Sequence, residues 1–129
     1  MLKFEINIAP RTKKNHQQII MLKGKRIVIP SKQYSEYEKN SKNFIPIIAK
    51  PIDYKVNVKG LFYMDTKRKV DLNNLLEALT DVLVKHKVLE DDNSTIVVSH
   101  DGSRVLYDKE NPRTEVEITE IEEDYGIYK

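Results

Sequence analysis

The sequence predicts an α+β fold, with one domain over residues 1–129 in which a small mixed β-sheet packs against two helices. Three observations support this prediction. Residues 54–64 alternate apolar and polar side chains, as a strand does. Residues 71–86 repeat apolar residues at helical spacing, and the elements follow the order β-ββ-α-β-α-ββ-β. A length of 129 residues is typical of a single domain.

The N-terminal part of the chain is predicted to form a strand, a hairpin and the first helix. Lys23-Gly24-Lys25 lies between two apolar runs, as hairpin turns do. Ser31 is a good N-cap for a helix, which Pro46 is expected to break or end. The segments are a strand at 2–8, an irregular basic loop at 9–17, hairpin strands at 18–22 and 26–29, and helical spacing of Tyr34, Tyr37, Phe44, Ile45 and Ile48.

The central strand and the second helix have the clearest patterns. One face of the strand holds Tyr54, Val56, Val58, Phe62 and Met64, and the other holds Lys55, Asn57 and Lys59. Asp71 occupies the N-cap position of the helix, whose apolar stripe consists of Leu72, Leu75, Leu76, Leu79, Val82 and Leu83. The remaining predictions are an acidic turn at 89–94, strands at 95–99, 104–107 and 114–121, and a turn at 100–103.

The net charge of +2 conceals a marked asymmetry along the chain. Residues 115–124 carry six acids and no base, so the first 114 residues hold 21 Lys and Arg against 14 Asp and Glu. An excess of this kind attracts polyanions, nucleic acid above all. A solvated lysine-rich surface is the alternative interpretation, and charge alone does not separate the two.

Composition excludes several other classes. The chain has no cysteine, which excludes disulfides, thiolate metal sites and cysteine nucleophiles and fits a reducing compartment. The N-terminal MLKFEINIAP has no long apolar core, so no signal peptide is expected. No apolar run approaches the roughly 18 residues of a membrane span. We therefore expect a soluble cytoplasmic protein with no membrane partner.

Residues 67–96 hold the side chains that suggest chemistry. Carboxylates from separate elements can hold Mg²⁺, which activates water for attack on a phosphodiester and neutralises the developing charge. The structural alternative is a capped helix, an ordinary turn and a solvated helix face. The candidates are Asp71 before the helix, Asn73, Asn74, Glu77 and Asp81 on its polar side, and Asp91 and Asp92 after it.

Helix geometry limits how these acids can meet. A helix of about 16 residues spans roughly 24 Å, so by itself it holds Asp71 and Asp92 apart. The two can meet only if residues 87–92 run back along the helix, a distance that about six extended residues just cover.

Basic residues flank the acids. Lys67, Arg68 and Lys69 directly precede Asp71 and are placed to contact phosphates. Arg104 and Arg113 either bind phosphates or form ion pairs that hold the sheet ends, with Asp101, Asp108 or Glu115 as partners, and the structural interpretation is favoured. Further candidates are Arg11, Lys13 and Lys14 in the basic loop and Lys23, Lys25 and Arg26 in the hairpin.

The stretch from Arg68 to Ile96 resembles the core of the RusA-type Holliday-junction resolvases. That family's pattern begins with basic residues before Asp-x-Asp-Asn, continues through an amphipathic helix bearing a lysine, and ends in Asp-Asp before a strand. On this chain the pattern's first acid, its asparagine and its final acid pair fall on Asp71, Asn74 and Asp91-Asp92. Two positions depart from it, because the second acid falls on Asn73 and the lysine falls on Glu77.

The resemblance implies a homodimeric, Mg²⁺-dependent endonuclease, of a kind often encoded by phages, that binds four-way DNA junctions and nicks two strands symmetrically. Its metal ligands would be Asp71, Asp91 and Asp92, with Asn73 and Glu77 in the catalytic set. Glu77 is expected to replace part of the charge missing at Asn73. The implied DNA-binding residues are Lys67, Arg68, Lys69, Arg11, Lys13, Lys14, Asn74 and Arg104.

Two other functions stay open at this point. The departures at Asn73 and Glu77 are compatible with a non-catalytic module that binds branched or single-stranded nucleic acid. The acidic C-terminal segment is compatible with a toxin or regulator that binds another protein. Dependence on magnesium separates the endonuclease from the binding module.

Overall fold

A computed structural model describes residues 1–13, 18–29 and 31–123 of the chain. Lys14 and His16 of the predicted basic loop lie outside the described residues, as do residues 124–129 of the acidic C-terminal segment. The elements in chain order are β1 (Leu2–Ile6), β2 (Gln18–Leu22), β3 (Lys25–Ile29), α1 (Lys32–Ser41), a 3₁₀ turn (Lys42–Phe44), β4 (Val56–Met64), α2 (Leu72–Lys85), β5 (Val97–Ser99), β6 (Arg104–Tyr107) and β7 (Arg113–Glu120).

The main sheet is mixed, as the sequence predicts, and β4 lies at its centre. β7 pairs antiparallel with β1 on one side and with β4 on the other. On its second edge β4 pairs in parallel with two short strands, β5 opposite its first residues and β6 opposite its last. A turn at residues 100–103, closed by the Ser103 N–H donating to the His100 carbonyl at 3.1 Å, joins these two strands.

The core lies between the main sheet and the two helices. The leucine stripe of α2 is confirmed, because Leu75, Leu79 and Leu83 are almost completely buried. Tyr34 and Tyr37 of α1 are also buried, so these rings belong to the core. Both predicted caps form: the Ser31 hydroxyl accepts from the Tyr34 N–H, and the Asp71 carboxylate accepts from the Asn73 N–H.

Several predicted bounds differ from the structure. The central strand begins at Val56 rather than residue 54, because a bend at Tyr54 turns that ring outward and leaves it 47% exposed. The first helix ends at Ser41, before Pro46, and Phe44 lies in the 3₁₀ turn. The strand predicted at 95–99 begins at Val97, and the one predicted at 2–8 ends at Ile6.

The hairpin forms around the predicted turn but stands apart from the main sheet. Strands β2 and β3 pair with each other as a separate two-stranded sheet. Lys23 and Gly24 both have positive φ, 50° and 77°, which is the geometry of a tight type I′ hairpin turn. In the part of the chain that the structure describes, no helix is long and apolar enough to cross a membrane.

Candidate functional site

The first predicted acid, Asp71, lies at the N-terminus of α2. Its side chain accepts a hydrogen bond from the Asn73 N–H at 2.9 Å, while the residue itself stays exposed. This bond satisfies one of the backbone donors that a helix start leaves unpaired. Asp71 therefore caps the helix, as the structural interpretation expects, and still presents carboxylate oxygen to solvent. Asn73 is exposed beside it, and Asn74 is partly buried.

After α2 the chain reverses direction and runs back beside β4. Lys87, with φ of 66°, and two hydrogen bonds from the Val88 and Leu89 N–H groups to the Leu83 carbonyl turn the chain. Leu89 then forms a parallel bridge with Ile52, before β5 pairs in parallel with β4. The chain thus doubles back after α2 and carries Asp91 and Asp92 past the segment that precedes β4.

The doubled-back chain brings Asp92 near Asp81 on α2. Partial desolvation of the Asp92 carboxyl, its contact with Asp91 and the negative charge of Asp81 together raise the pKa of Asp92 above its ordinary value. Asp71 lies ten residues before Asp81, about 15 Å along the helix axis. Asp92 therefore lies near the second half of α2.

Asp91 has the opposite environment to its neighbour. Its carboxylate accepts from the Asp92 N–H at 2.7 Å and from the Asn93 side-chain amide at 2.9 Å. These donors lower the pKa of Asp91 because they favour its charged form. The two neighbouring carboxyls thus have pKa values shifted in opposite directions, lowered at Asp91 and raised at Asp92.

A lysine from the N-terminal loop meets the polar face of α2. The Lys13 Nζ lies 2.5 Å from a carboxylate oxygen of Asp81. This ion pair, with weaker contributions from Glu38 and Glu77, raises the pKa of Lys13. The sequence places Glu77 and Asp81 on one helix face. This spacing is the sequence signal that Asp81 belongs with the candidate acids. Nothing in the sequence predicts that Lys13 neutralises it.

The donor chemistry of these residues suits magnesium, although the acids do not form a closed cage. Among the residues that the structure describes, no three Asp, Glu or His side chains lie close enough together to hold a metal ion. Mg²⁺ in nucleic-acid enzymes is typically bound through one or two carboxylates, with waters and substrate phosphates completing the shell. Desolvation raises the pKa of Asp92 most, and the negative charges of Asp81 and Asp91 add to it; a bound cation would offset the contribution of these charges.

The predicted basic residues gather at the other end of α2. Arg11 donates two hydrogen bonds to Asp65, at 3.1 and 3.2 Å, and this contact lowers the pKa of Asp65. Together with the exposed Arg68 and Lys69, this pair lines a cleft of about 430 Å³. The Lys67 ammonium lies 5.0 Å from the centre of the Tyr107 ring. Asp65 is an acid of this region that sequence reasoning missed.

The two arginines near the C-terminal strands differ in role. Arg113 forms ion pairs with Asp108 and Glu115 and lies 3.8 Å from the centre of the Tyr63 ring, so it holds the end of the sheet. Arg104 is exposed, and its side chain has no partner among the described residues. The expected partner Asp101 instead has its backbone held by the Asn57 side chain.

The chain matches a known protein family over most of its length. A sequence model of the family described as endodeoxyribonuclease RusA matches residues 6–119. No curated protein matches the chain. The matched range includes the basic loop, the hairpin, both helices and all the candidate acids.

Proposed function

Because the chain belongs to the RusA endodeoxyribonuclease family, we propose that it is a magnesium-dependent, structure-selective endonuclease that resolves four-way DNA junctions by paired symmetrical nicks. Recombination and repair are the processes that such an activity serves. The observation that carries the proposal is the family match over residues 6–119. The acids on α2 and in the following turn supply chemistry of the required kind.

In the proposed site, Asp92 and Asp91 would hold Mg²⁺, and Asp71 is proposed as a further ligand from the start of α2. The cation would activate the attacking water and stabilise charge on the leaving oxygen. The hydrogen bonds of its turn lower the pKa of Asp91 and so favour the ionised carboxylate that a cation would need. Glu77 offers a carboxylate one turn after Asn73, where the family pattern has an acid. Asn73 itself offers only a neutral oxygen.

The basic residues at the start of α2 are proposed to bind the phosphates on either side of the cut. Arg68 and Lys69 line the cleft, and the Lys67 ammonium lies over the Tyr107 ring. Arg11 is held by Asp65 in a fixed orientation, which favours bidentate binding of a phosphate by its remaining donors. Lys13, Lys14, Asn74 and Arg104 complete the proposed DNA-binding set.

We propose a homodimer as the active form. A chain of this size presents one set of acids, whereas resolution of a junction needs two cuts related by symmetry. A two-fold dimer matches the approximate two-fold symmetry of a four-way junction and places one site on each of two strands.

Cleavage of a fixed synthetic four-way junction tests the proposal. The wild type with Mg²⁺ should produce paired symmetrical nicks, and a chelator should abolish them. Asp92→Asn should remove the nicks and keep DNA binding, because the fold does not depend on this exposed carboxylate. Asp53→Asn is a matched control, since Asp53 is exposed and pairs only locally with Lys50. Equal cleavage by wild type and Asp92→Asn would exclude the assignment of Asp92.

A non-catalytic DNA-binding module is the second candidate. The amide at Asn73 and the lack of a three-acid group among the described residues favour it. Such a module would bind the junction tightly with or without a chelator, would weaken only with salt, and would leave all four strands intact. The same junction assay therefore separates the two candidates.

A further inference from the structure

The hairpin of β2 and β3 carries an exposed apolar face. Ile19, Met21 and Val28 are exposed by 58%, 66% and 58%. Ile19 lies directly opposite Val28 in the register, and Met21 follows two residues later on the same face of its strand. Folded proteins rarely expose adjacent apolar side chains without a partner. This face is therefore a candidate interaction surface.

The tip of the same hairpin is strongly cationic. The turn and the start of β3 carry Lys23, Lys25 and Arg26. No Asp or Glu occurs between Glu5 and Glu36, a segment with seven Lys and Arg. A partner that fits this hairpin must therefore supply negative charge next to surfaces that accept apolar side chains.

DNA at a branch point has both properties. Phosphates supply the charge, and the base pairs that flank the crossover offer flat apolar faces where the helical stack is interrupted. A two-stranded β-ribbon fits in the major groove, and Ile or Met side chains inserted at a base step are a known way to open it. Separating bases costs less at a crossover than within continuous duplex, because part of the stacking is already lost there.

We propose that the β2–β3 hairpin recognises the crossover, with its tip cations on phosphates and Ile19, Met21 and Val28 against the exposed bases. This inference rests on the proposed function and adds to it the element that selects branched DNA over linear duplex. The cleft residues Arg68 and Lys69 contact phosphates that both kinds of DNA present. The hairpin contacts a feature that only the branched form presents.

A second copy of this chain is the competing occupant of the apolar face. An identical hairpin would bring the same three tip cations and no acid within the segment, so it offers no complementary charge. Polyanionic DNA does offer it. Charge complementarity therefore favours DNA, and the oligomeric state of the variants below separates the two occupants.

The test compares binding to a four-way junction and to a linear duplex of the same arm sequence, with Ca²⁺ in place of Mg²⁺. The variant is the double substitution Ile19→Ser with Met21→Ser. Ile47→Ser is the matched control, because Ile47 is a fully exposed apolar residue outside the hairpin. The hairpin variant should lose roughly tenfold in affinity for the junction and little for the duplex, whereas the control should match the wild type for both.

A 2-aminopurine base beside the crossover gives an independent readout. Wild-type protein should raise its fluorescence by unstacking it, and the hairpin variant should not. Preference for the junction together with full fluorescence change in the hairpin variant would overturn the role of the hairpin and leave the proposed function intact. A dimer that becomes monomeric with these substitutions, measured by sedimentation, would assign the face to a second copy instead. A wild type without any preference for the junction would overturn both proposals.

Discussion

Gly60 determines how closely α2 approaches the central strand, and its replacement by alanine tests the packing beneath the site. Gly60 is buried in the middle of β4. A Cβ atom at this position would lie 2.8 Å from Phe62 Cζ, 2.9 Å from Phe62 Cε2 and 3.0 Å from Leu79 Cδ2. These distances are shorter than carbon atoms tolerate, so the Phe62 ring or α2 must move.

Whether Gly60→Ala stabilises or destabilises the fold depends on two opposing contributions to the free energy of unfolding. Alanine in a strand interior gains about 0.5–1 kcal/mol over glycine, because the unfolded chain is less free. Overpacking of a buried site costs about 1–3 kcal/mol. Phe62 and Leu79 are both almost completely buried and have little space to yield. We therefore expect Gly60→Ala to destabilise the fold by about 1–2 kcal/mol, which lowers the melting temperature by roughly 4 °C per kcal/mol.

Urea and thermal unfolding measure this change, and a double variant identifies its cause. Phe62→Leu removes the ring atoms nearest the added Cβ, so Gly60→Ala should cost less in the Phe62→Leu background than in the wild type, by at least about 0.5 kcal/mol. A Gly60→Ala protein as stable as the wild type would refute the packing argument. Equal costs in both backgrounds would show that the ring is not the obstacle.

Three further predictions concern the charges. Asp81→Asn should lower the pKa of Asp92, because it removes a nearby negative charge; carboxyl NMR titration measures the shift, and an unchanged pKa would contradict the contact. Arg11→Ala should reduce stability by less than about 1 kcal/mol at neutral pH. The loss should shrink as the pH falls below 3.8 and through the lowered pKa of Asp65, because the ion pair stabilises the fold only while the carboxyl is ionised. Asn73→Asp should raise the cleavage rate about tenfold and lower the Mg²⁺ requirement; a rate no higher than wild type would show that Asn73 does not limit activity.

The sequence predicts the elements of this fold well, because each has a local cause. The α2 stripe, the Ser31 and Asp71 caps and the tight turn at Gly24 all depend on neighbouring residues, and all are present. The residues at which an element begins and ends are harder to predict where tertiary packing decides them. Tyr54 continues the alternation of β4 in the sequence, yet a bend in the folded chain leaves it outside the strand, which begins at Val56.

The candidate site is less predictable because its acids lie on separate parts of the crossover from β4 through α2 to β5. The sequence shows that Asp92 must come back along the helix, but not how far it comes. The parallel bridge between Ile52 and Leu89 fixes that register, and it places Asp92 by Asp81. Such a bridge joins residues far apart in the chain, so no local pattern reveals it.

The same long-range packing changes the meaning of the two departures from the family pattern. An acid and a lysine at these two positions of the pattern carry opposite charges that cancel, whereas Asn73 and Glu77 together carry one net negative charge. Lys13, which comes from the N-terminal loop, lies on Asp81 and near Glu77 and brings one positive charge back to this helix face. The N-terminal loop therefore supplies positive charge to this helix face. A motif comparison limited to α2 registers only the loss, because the compensating residue lies more than fifty positions earlier in the chain.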